Sequence, residues 1–370
     1  MIKIREKFLQ LTSNRTPKGT EKSVIKLMPE FKFKKDEFDN YFYIIKNPNG
    51  TFSNTMFTAH LDTIDRGPLT GGYRSWNTTT LKWEYKNFND DKVDDSKKLI
   101  KHVFDGDFIK TDGNTNLGAD DKAGVVIMLN LMSENVPGLY YFFMGEESGC
   151  VGSSSLSRVY ESKVTNGLLP TVNKCVSFDR RGYDSVITEQ TGGVCCSDSF
   201  AKELSIRLNE YGFWYKPDST GVYTDSAEFM DIIPECTNLS VGYFNEHTTS
   251  EKQDIEFLEL LSLVLTKIDW ETLPIERVVS SISYKGKKSS YGVYSGYGRY
   301  SGGGTNYTDY DEYGSEYNYN AHRLNSTKPT TQYKNSNTYI DNGSGKLEKI
   351  NSDDEFDKWY NEQKSKIPVN

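Results

Sequence analysis

The chain has 370 residues, 52 acidic against 44 basic side chains for a net charge of -8, and only 36% hydrophobic residues, so a substantial core is affordable but part of the chain is left outside it. The acidic balance argues against nonspecific binding to nucleic acid, whose phosphates call for a basic face. No apolar run approaches the length of a membrane span, and the opening MIKIREKFLQL carries charges where a signal peptide is apolar, so the expected location is cytoplasmic, with no nucleic acid or membrane as partner. The five cysteines lack C-x-x-C spacing and include the adjacent Cys195 and Cys196, a pattern of reduced thiols rather than of a disulfide framework.

In chain order, periodicity predicts helices over 4–11 and 21–27, strands over 41–45 and 55–60, a helix over 123–133 and a strand over 139–144. Strands follow at 174–178 and 185–188, then helices at 199–211 and 226–230, a strand at 236–240 and an apolar helix over 255–268. In that last helix Ile255, Leu258, Leu261, Leu265 and Ile268 recur at helical spacing. Such alternation predicts an α/β fold, a three-layer α/β/α domain over residues 1–280 with a mostly parallel mixed sheet. Residues 63–112 read as a β-rich excursion, and its aromatic Tyr73, Trp76, Trp83 and Tyr85 fit cross-strand packing better than substrate contact. Residues 283–345 are Gly, Ser, Asn, Thr and Tyr with almost no aliphatics, and 12 of the 25 tyrosines fall there; this composition predicts a disordered tail, a candidate to bind a protein partner. Residues 346–370 contain SDDEFDKWYNEQKSKI, with capping-box spacing and Phe356, Trp359 and Tyr360 on one helical face, which predicts a short amphipathic helix.

Five distant segments hold the residues with the most chemistry: TAHLDT, GADDKAG, MGEESG, SFDRRG and NEHTTSE. Together they offer imidazole and carboxylate without the thiolates of a structural zinc site, a donor set suited to catalytic zinc, cobalt or manganese. His60 and Asp62 sit two apart at a strand end, so one can ligate while the other, directly or through a peptide, steers the imidazole. Glu146 and Glu147 follow a strand and point different ways, which lets one hold metal and the other face a water as general base. Asp120, opening a helix-like stretch after a Gly-rich turn, could bridge two ions, with Asp179 and His247 completing the shell of the second ion. Taken singly, each segment has a plainer reading: a surface pair for His-x-Asp, a polar helix start for GADDKAG, a solvated Glu pair, an ion pair of Asp179 with its arginines, a surface His247. Their joint occurrence at the ends of apolar strand-like runs outweighs those readings. His102 and His322 have no such context and are expected at the surface. Cys150 is read as a small packed residue.

These segments, with KTDGNTNLG ahead of GADDKAG and TPKGTE near the start, resemble the zinc-dependent exopeptidase superfamily. The likeness is to the peptidase T-like branch of the M20 family and extends to the M28 and M42 aminopeptidases, over roughly residues 1–270. The resemblance implies Asp120, rather than Asp121, as the bridging ligand of two divalent ions, most often zinc. It implies that His60 or His247, with Glu147 or Asp179, serves each ion, that Glu146 is the general base and that Asp62 is the partner of His60. The intervals from Asp62 to Asp120 and from Asp179 to His247 are short for the inserted domains of these families, which leaves a bare catalytic domain.

The activity so implied is hydrolysis of a peptide bond at a chain end. An N-acyl amino-acid amidohydrolase is the nearest alternative, because the same groups act on any amide. A catalytically inactive scaffold on this fold is the alternative of a different class, disfavoured by the retained Glu146. Binding a free peptide end needs an acid for the amine or an arginine for the carboxylate, which makes Asp225, Arg180 and Arg181 candidates, although TDS at 224–226 is also an N-cap signal.

Overall fold

The computed structural model describes residues 2–64 and 100–279 in full and, as backbone, the strand pairs Gly72–Asn77 with Lys82–Asn87 and Thr338–Asp341 with Leu347–Ile350. An eight-stranded mixed sheet forms the centre, in the order Lys34–Lys35, Tyr41–Ile45, Gly138–Phe143, Thr55–His60, Lys174–Arg180, Glu235–Ser240, Ser185–Ile187, Lys216–Asp218. The middle strands, from Gly138–Phe143 to Glu235–Ser240, run parallel, while Tyr41–Ile45 and Ser185–Ile187 flank them antiparallel.

Strands buried on both faces need continuous rather than alternating apolar sequence, and TMFTAH and GLYYFF are buried at every position. Alternation of side chains sends Phe57, Tyr140 and Phe178 to one face, where Trp270 meets Phe57 edge-on at 4.9 Å. Tyr141 and Phe143 go to the other face, where Tyr141 stacks on Phe143 and Phe143 meets Phe229 of the 3-10 turn Asp225–Phe229. The helices Ile4–Leu11, Ala119–Ser133 and Ile255–Leu265 pack on one another, with Ala119–Ser133 lying directly on Thr55–His60 and Lys174–Arg180. The predicted stripe of Ile255, Leu258, Leu261, Leu265 and Ile268 is buried.

A second, antiparallel sheet joins Tyr243–Phe244, Lys252–Asp254, Phe108–Thr111 and His102–Asp105. It brings the loop carrying His247 beside the loop that runs from Thr111 to Asp120. These strands are too short, and too polar, for periodicity to reveal them. His102, expected at the surface, is half-buried instead, its Nε2 2.8 Å from Thr12 Oγ1.

Some predicted bounds shift. The helix expected from 123 begins at Ala119 but is broken by nonhelical dihedrals at Asp120 and Asp121, and the helix expected over 21–27 is the single turn Lys22–Ile25. The segment expected as a helix over 226–230 is a 3-10 turn with no side-chain cap, because Thr224 and Asp225 spend their oxygens elsewhere. Within 63–112, Trp76 and Trp83 are register partners. The remaining expectations there, the tail over 283–345 apart from Thr338–Asp341, the helix within 346–370 and His322 lie outside the described residues. Leu347–Ile350, within 346–370 but ahead of the capping box at Ser352, is a strand.

Candidate metal centre

The parallel strands deliver their chemistry to one rim, the carboxyl ends where open α/β sheets place ligand sites. His60 closes Thr55–His60, Asp179 is the penultimate residue of Lys174–Arg180, and Glu146 stands three residues beyond Gly138–Phe143. The Glu pair occupies a 3-10 turn between Gly145 (φ 70°) and Gly149 (φ 92°), both left-handed, a conformation that glycine adopts without a Cβ penalty.

Asp120 lies at the centre of this rim. Its Oδ1 is 3.0 Å from Nε2 of His60 and its Oδ2 is 3.0 Å from Nε2 of His247. Asp179 Oδ1 stands 3.7 Å from the same His60 nitrogen, and Glu147 Oε2 stands 3.1 Å from that of His247. The carboxylate of Asp120 therefore reaches two imidazoles, each with a second carboxylate beside it. Ligating atoms of His60, Asp120 and Glu147 fall within 4.8 Å of one another, as do those of His60, Asp121 and Asp179. Asp121 differs from Asp120 in what it already holds: its Oδ2 accepts the His60 amide at 3.1 Å and its Oδ1 the Gly124 amide at 3.0 Å. A Cβ at Gly124 would come within 2.5 Å of Asp121 Oδ1.

Supporting groups fix each side chain. His60 Nδ1 is 2.9 Å from the Asp62 backbone carbonyl and 3.6 Å from its carboxylate. Asp62 thus steers His60 chiefly through a peptide oxygen, while its carboxylate accepts the amides of Glu146 at 3.0 Å and Glu147 at 3.2 Å. Asp179 accepts hydrogen bonds from Thr224 Oγ1 at 2.6 Å and Tyr243 OH at 3.0 Å. Glu147 Oε1 accepts the Ile64 amide at 3.2 Å. Glu146 Oε1 accepts the Cys150 thiol at 3.4 Å, so Cys150 touches the site as well as packing within it, and no hydrogen bond among the described residues engages Glu146 Oε2.

Crowded carboxylates dominate the electrostatics. Burial, with the charge of Asp120 adding to it, lifts Asp179 to about 6, and burial lifts Glu146 well above the usual glutamate range, with Asp179, Asp225 and Glu147 reinforcing it. At His247 burial opposes protonation but the carboxylates of Asp120 and Glu147 outweigh it, raising the imidazole to about 11. His60 rises for the same reason, and Asp120 falls despite its burial because two imidazoles donate to it. A buried cluster of this kind calls for positive charge. Lys122, buried with its Nζ 2.6 Å from the Leu61 carbonyl, supplies some, and burial depresses it to about 8.

The three candidates for substrate contact all have partners. Asp225 is buried and accepts Ser153 Oγ at 2.5 Å, and burial lifts it to about 7. Arg180 donates to the carbonyl and hydroxyl of Thr220 at 3.1 and 2.9 Å. Arg181 donates to Glu246 at 2.8 Å and is the more exposed of the two arginines. Sequence reasoning passed over Glu251, Thr224, Tyr243 and Lys122. Glu251 and Lys122 lie inside motifs already singled out, Thr224 was absorbed into the cap signal, and nothing in the sequence marks Tyr243.

No protein-family model matches the sequence. A 66-residue stretch is 44% identical to YqjE of Bacillus subtilis (strain 168), described as an uncharacterized protein, and covers 16% of this chain and 18% of that one. Solved structures match far more of the chain. The dodecamer PhTET1-12s superposes with a TM-score of 0.52 at 17% identity, over 72% of this chain and 98% of its own. Aminopeptidase PepT from Bacillus cereus ATCC 10987 and a tripeptidase from Staphylococcus aureus subsp. aureus mu50 each give 0.50 at 15% identity, over 71% of this chain and 96% of theirs. The fold is one these structures share. At such identities the likeness is one of architecture, an α/β domain built on a large mixed sheet.

Proposed function

We propose that the chain is a dinuclear metallohydrolase that cleaves a peptide bond at a chain end. The observation that carries this reading is Asp120, whose two oxygens each meet a different histidine, with Asp179 beside one and Glu147 beside the other. The donor set of imidazole and carboxylate fits zinc, cobalt or manganese, and the surplus of buried acid fits divalent charge. His60, Asp120 and Asp179 would hold one ion, and His247, Asp120 and Glu147 the other. Bound there, the pair would supply Lewis acidity toward a scissile carbonyl and an attacking water.

The protein's own part is to position groups and move a proton. Glu146, half-buried and with no hydrogen bond to its Oε2 among the described residues, takes the proton of the attacking water and returns it to the departing amine nitrogen. Its raised basicity suits that exchange better than an ordinary glutamate would. Asp62 keeps Glu146 and Glu147 apart in role by holding both their amides. The names of the structurally similar aminopeptidase and tripeptidase support a peptide as substrate, and Arg181, at the rim, is the group best exposed to meet a free carboxylate.

Elemental analysis after zinc loading and mild dialysis should give about two ions per chain, the number such a bridged site takes. Stoichiometry of zero, with His60→Ala unchanged in stability, would remove the site. Turnover should appear on dipeptides or tripeptides; activity confined to N-acyl amino acids would replace the exopeptidase by an amidohydrolase.

A further inference from the structure

Glu251 is completely buried, yet it is not a ligand in the site above. Its Oε2 accepts the Gly118 amide at 2.7 Å and its Oε1 the Asp120 amide at 3.0 Å. Both donors lie at the start of Ala119–Ser133, where backbone amides have no carbonyl partner within the helix. Gly118 is left-handed (φ 76°), so the chain turns sharply into Glu251 just before Asp120. At its other end Glu251 belongs to the His247 loop: its own amide donates to the Thr248 carbonyl at 3.2 Å. One carboxylate therefore ties the segment bearing the bridging aspartate to the segment bearing His247. The approach of Asp120 to His60 has a separate support, the bond from the His60 amide to Asp121.

From this arrangement we infer that Glu251 is a positioning residue that sets the span between Asp120 and His247, and with it the affinity of the ion those two share with Glu147. The inference rests on the two-metal reading and adds a selective consequence to it. Glutamine in place of Glu251 keeps the volume but offers one acceptor oxygen, and its NH2 group faces the second amide. The Asp120 amide or the Gly118 amide then loses its partner and the two segments part, while the His60 side keeps its own anchor. Removing an outer partner of this kind weakens metal binding by about 10- to 100-fold in sites of known chemistry.

The test uses the full chain, stripped by a chelator and titrated with zinc by calorimetry, with His60→Ala and His247→Ala assigning the two binding steps. Glu251→Gln should stay folded, with the melting temperature of the metal-free protein lowered only by the one amide it leaves unpaired, and should retain the step that His60→Ala abolishes. It should weaken the step that His247→Ala abolishes by about 10-fold or more, with Glu251→Ala weakening it further. The visible spectrum of the cobalt-loaded variant should change in the bands of that second ion alone. Equal weakening of both steps, or none, overturns the inference while leaving the two-metal reading in place. Wild-type protein that takes up no zinc overturns the reading and the inference together. If the variants are recovered unfolded, hydrogen exchange of the wild type decides: zinc should protect residues 112–122 and 243–251 together, and protection of one segment without the other overturns the coupling.

Discussion

Neighbouring residues of one type take different roles here because their surroundings differ. Glu147 is spent on His247 and the Ile64 amide, whereas Glu146 keeps an oxygen clear. Glu146→Gln should therefore keep both ions and lose about 100-fold or more in kcat, in the range for removal of a general base, whereas Glu147→Gln should lose zinc affinity and recover part of its activity at high zinc. Metal analysis beside steady-state kinetics separates the two, and the reverse pattern would exchange the roles. Far from the site, Lys174 is buried and among the described residues its Nζ makes one hydrogen bond, to the Glu271 carbonyl at 3.5 Å; burial lowers it from 10.5 to about 8, against the pull of Glu271 and Asp269. A cation whose folded pKa is depressed costs stability in full below about pH 8, and the cost disappears as pH rises to about 10.5. Lys174→Met should accordingly raise the melting temperature at pH 7, with the gain shrinking toward pH 10; a gain independent of pH would mean that packing rather than charge is responsible. At this scale the sequence displays residue types and spacing, and that sufficed to single out His60, Glu146, Glu147, Asp179 and His247. It could not separate Asp120 from Asp121, because both are acids at one helix start and only the amides around them differ.

At the scale of elements, the Glu turn works because the strand before it and the helix after it are pinned together. Asn40, on the chain entering the neighbouring strand Tyr41–Ile45, accepts the Met144 amide at 3.3 Å and donates to the Gly152 carbonyl at 3.1 Å. Gly152 has no room for a side chain: a Cβ there would lie 2.1 Å from Asn40 Oδ1 and 2.8 Å from the Met144 carbonyl. Gly152→Ala should thus push the helix Val151–Ser157 off the strand end, costing about 1–3 kcal/mol as overpacking does, and lower kcat through a displaced Glu146. Thermal denaturation and kinetics of the variant check this, and wild-type values of both would show that the turn is held elsewhere. The long strands and helices were legible because burial on one or two faces imposes a period on sequence. The 3-10 turns and the second sheet were not, since their short segments are fixed by hydrogen bonds to distant residues.

At the scale of the whole molecule, Glu235 and Arg277 form a clasp. Glu235, fully buried, accepts the amides of Glu276 at 2.7 Å and Arg277 at 2.9 Å, and Arg277 Nη2 donates to the carbonyls of Met230 at 2.6 Å and Ile233 at 2.8 Å. This closes the chain over the end of the 3-10 turn Asp225–Phe229, whose leading residue Thr224 holds Asp179. A chain ending at Ile282 should keep fold, metals and turnover, whereas one ending at Leu273, or Arg277→Ala, should lower stability by about 2–3 kcal/mol through the buried acceptors left unpaired. Denaturant unfolding of the three proteins tests it; loss of turnover in a folded chain ending at Ile282 would assign the remaining residues a place at the site. The sequence by itself determined the α/β alternation, the apolar strands of the sheet and the five segments carrying imidazole and carboxylate, because local periodicity and residue chemistry are written along the chain. Only the tertiary structure decided that Asp120 stands between the two histidines, that Asp62 steers His60 through a peptide oxygen, and that Glu251 joins the Asp120 and His247 loops. Each of these depends on a contact between residues far apart in sequence, and a distance across space leaves no periodic trace in a single chain.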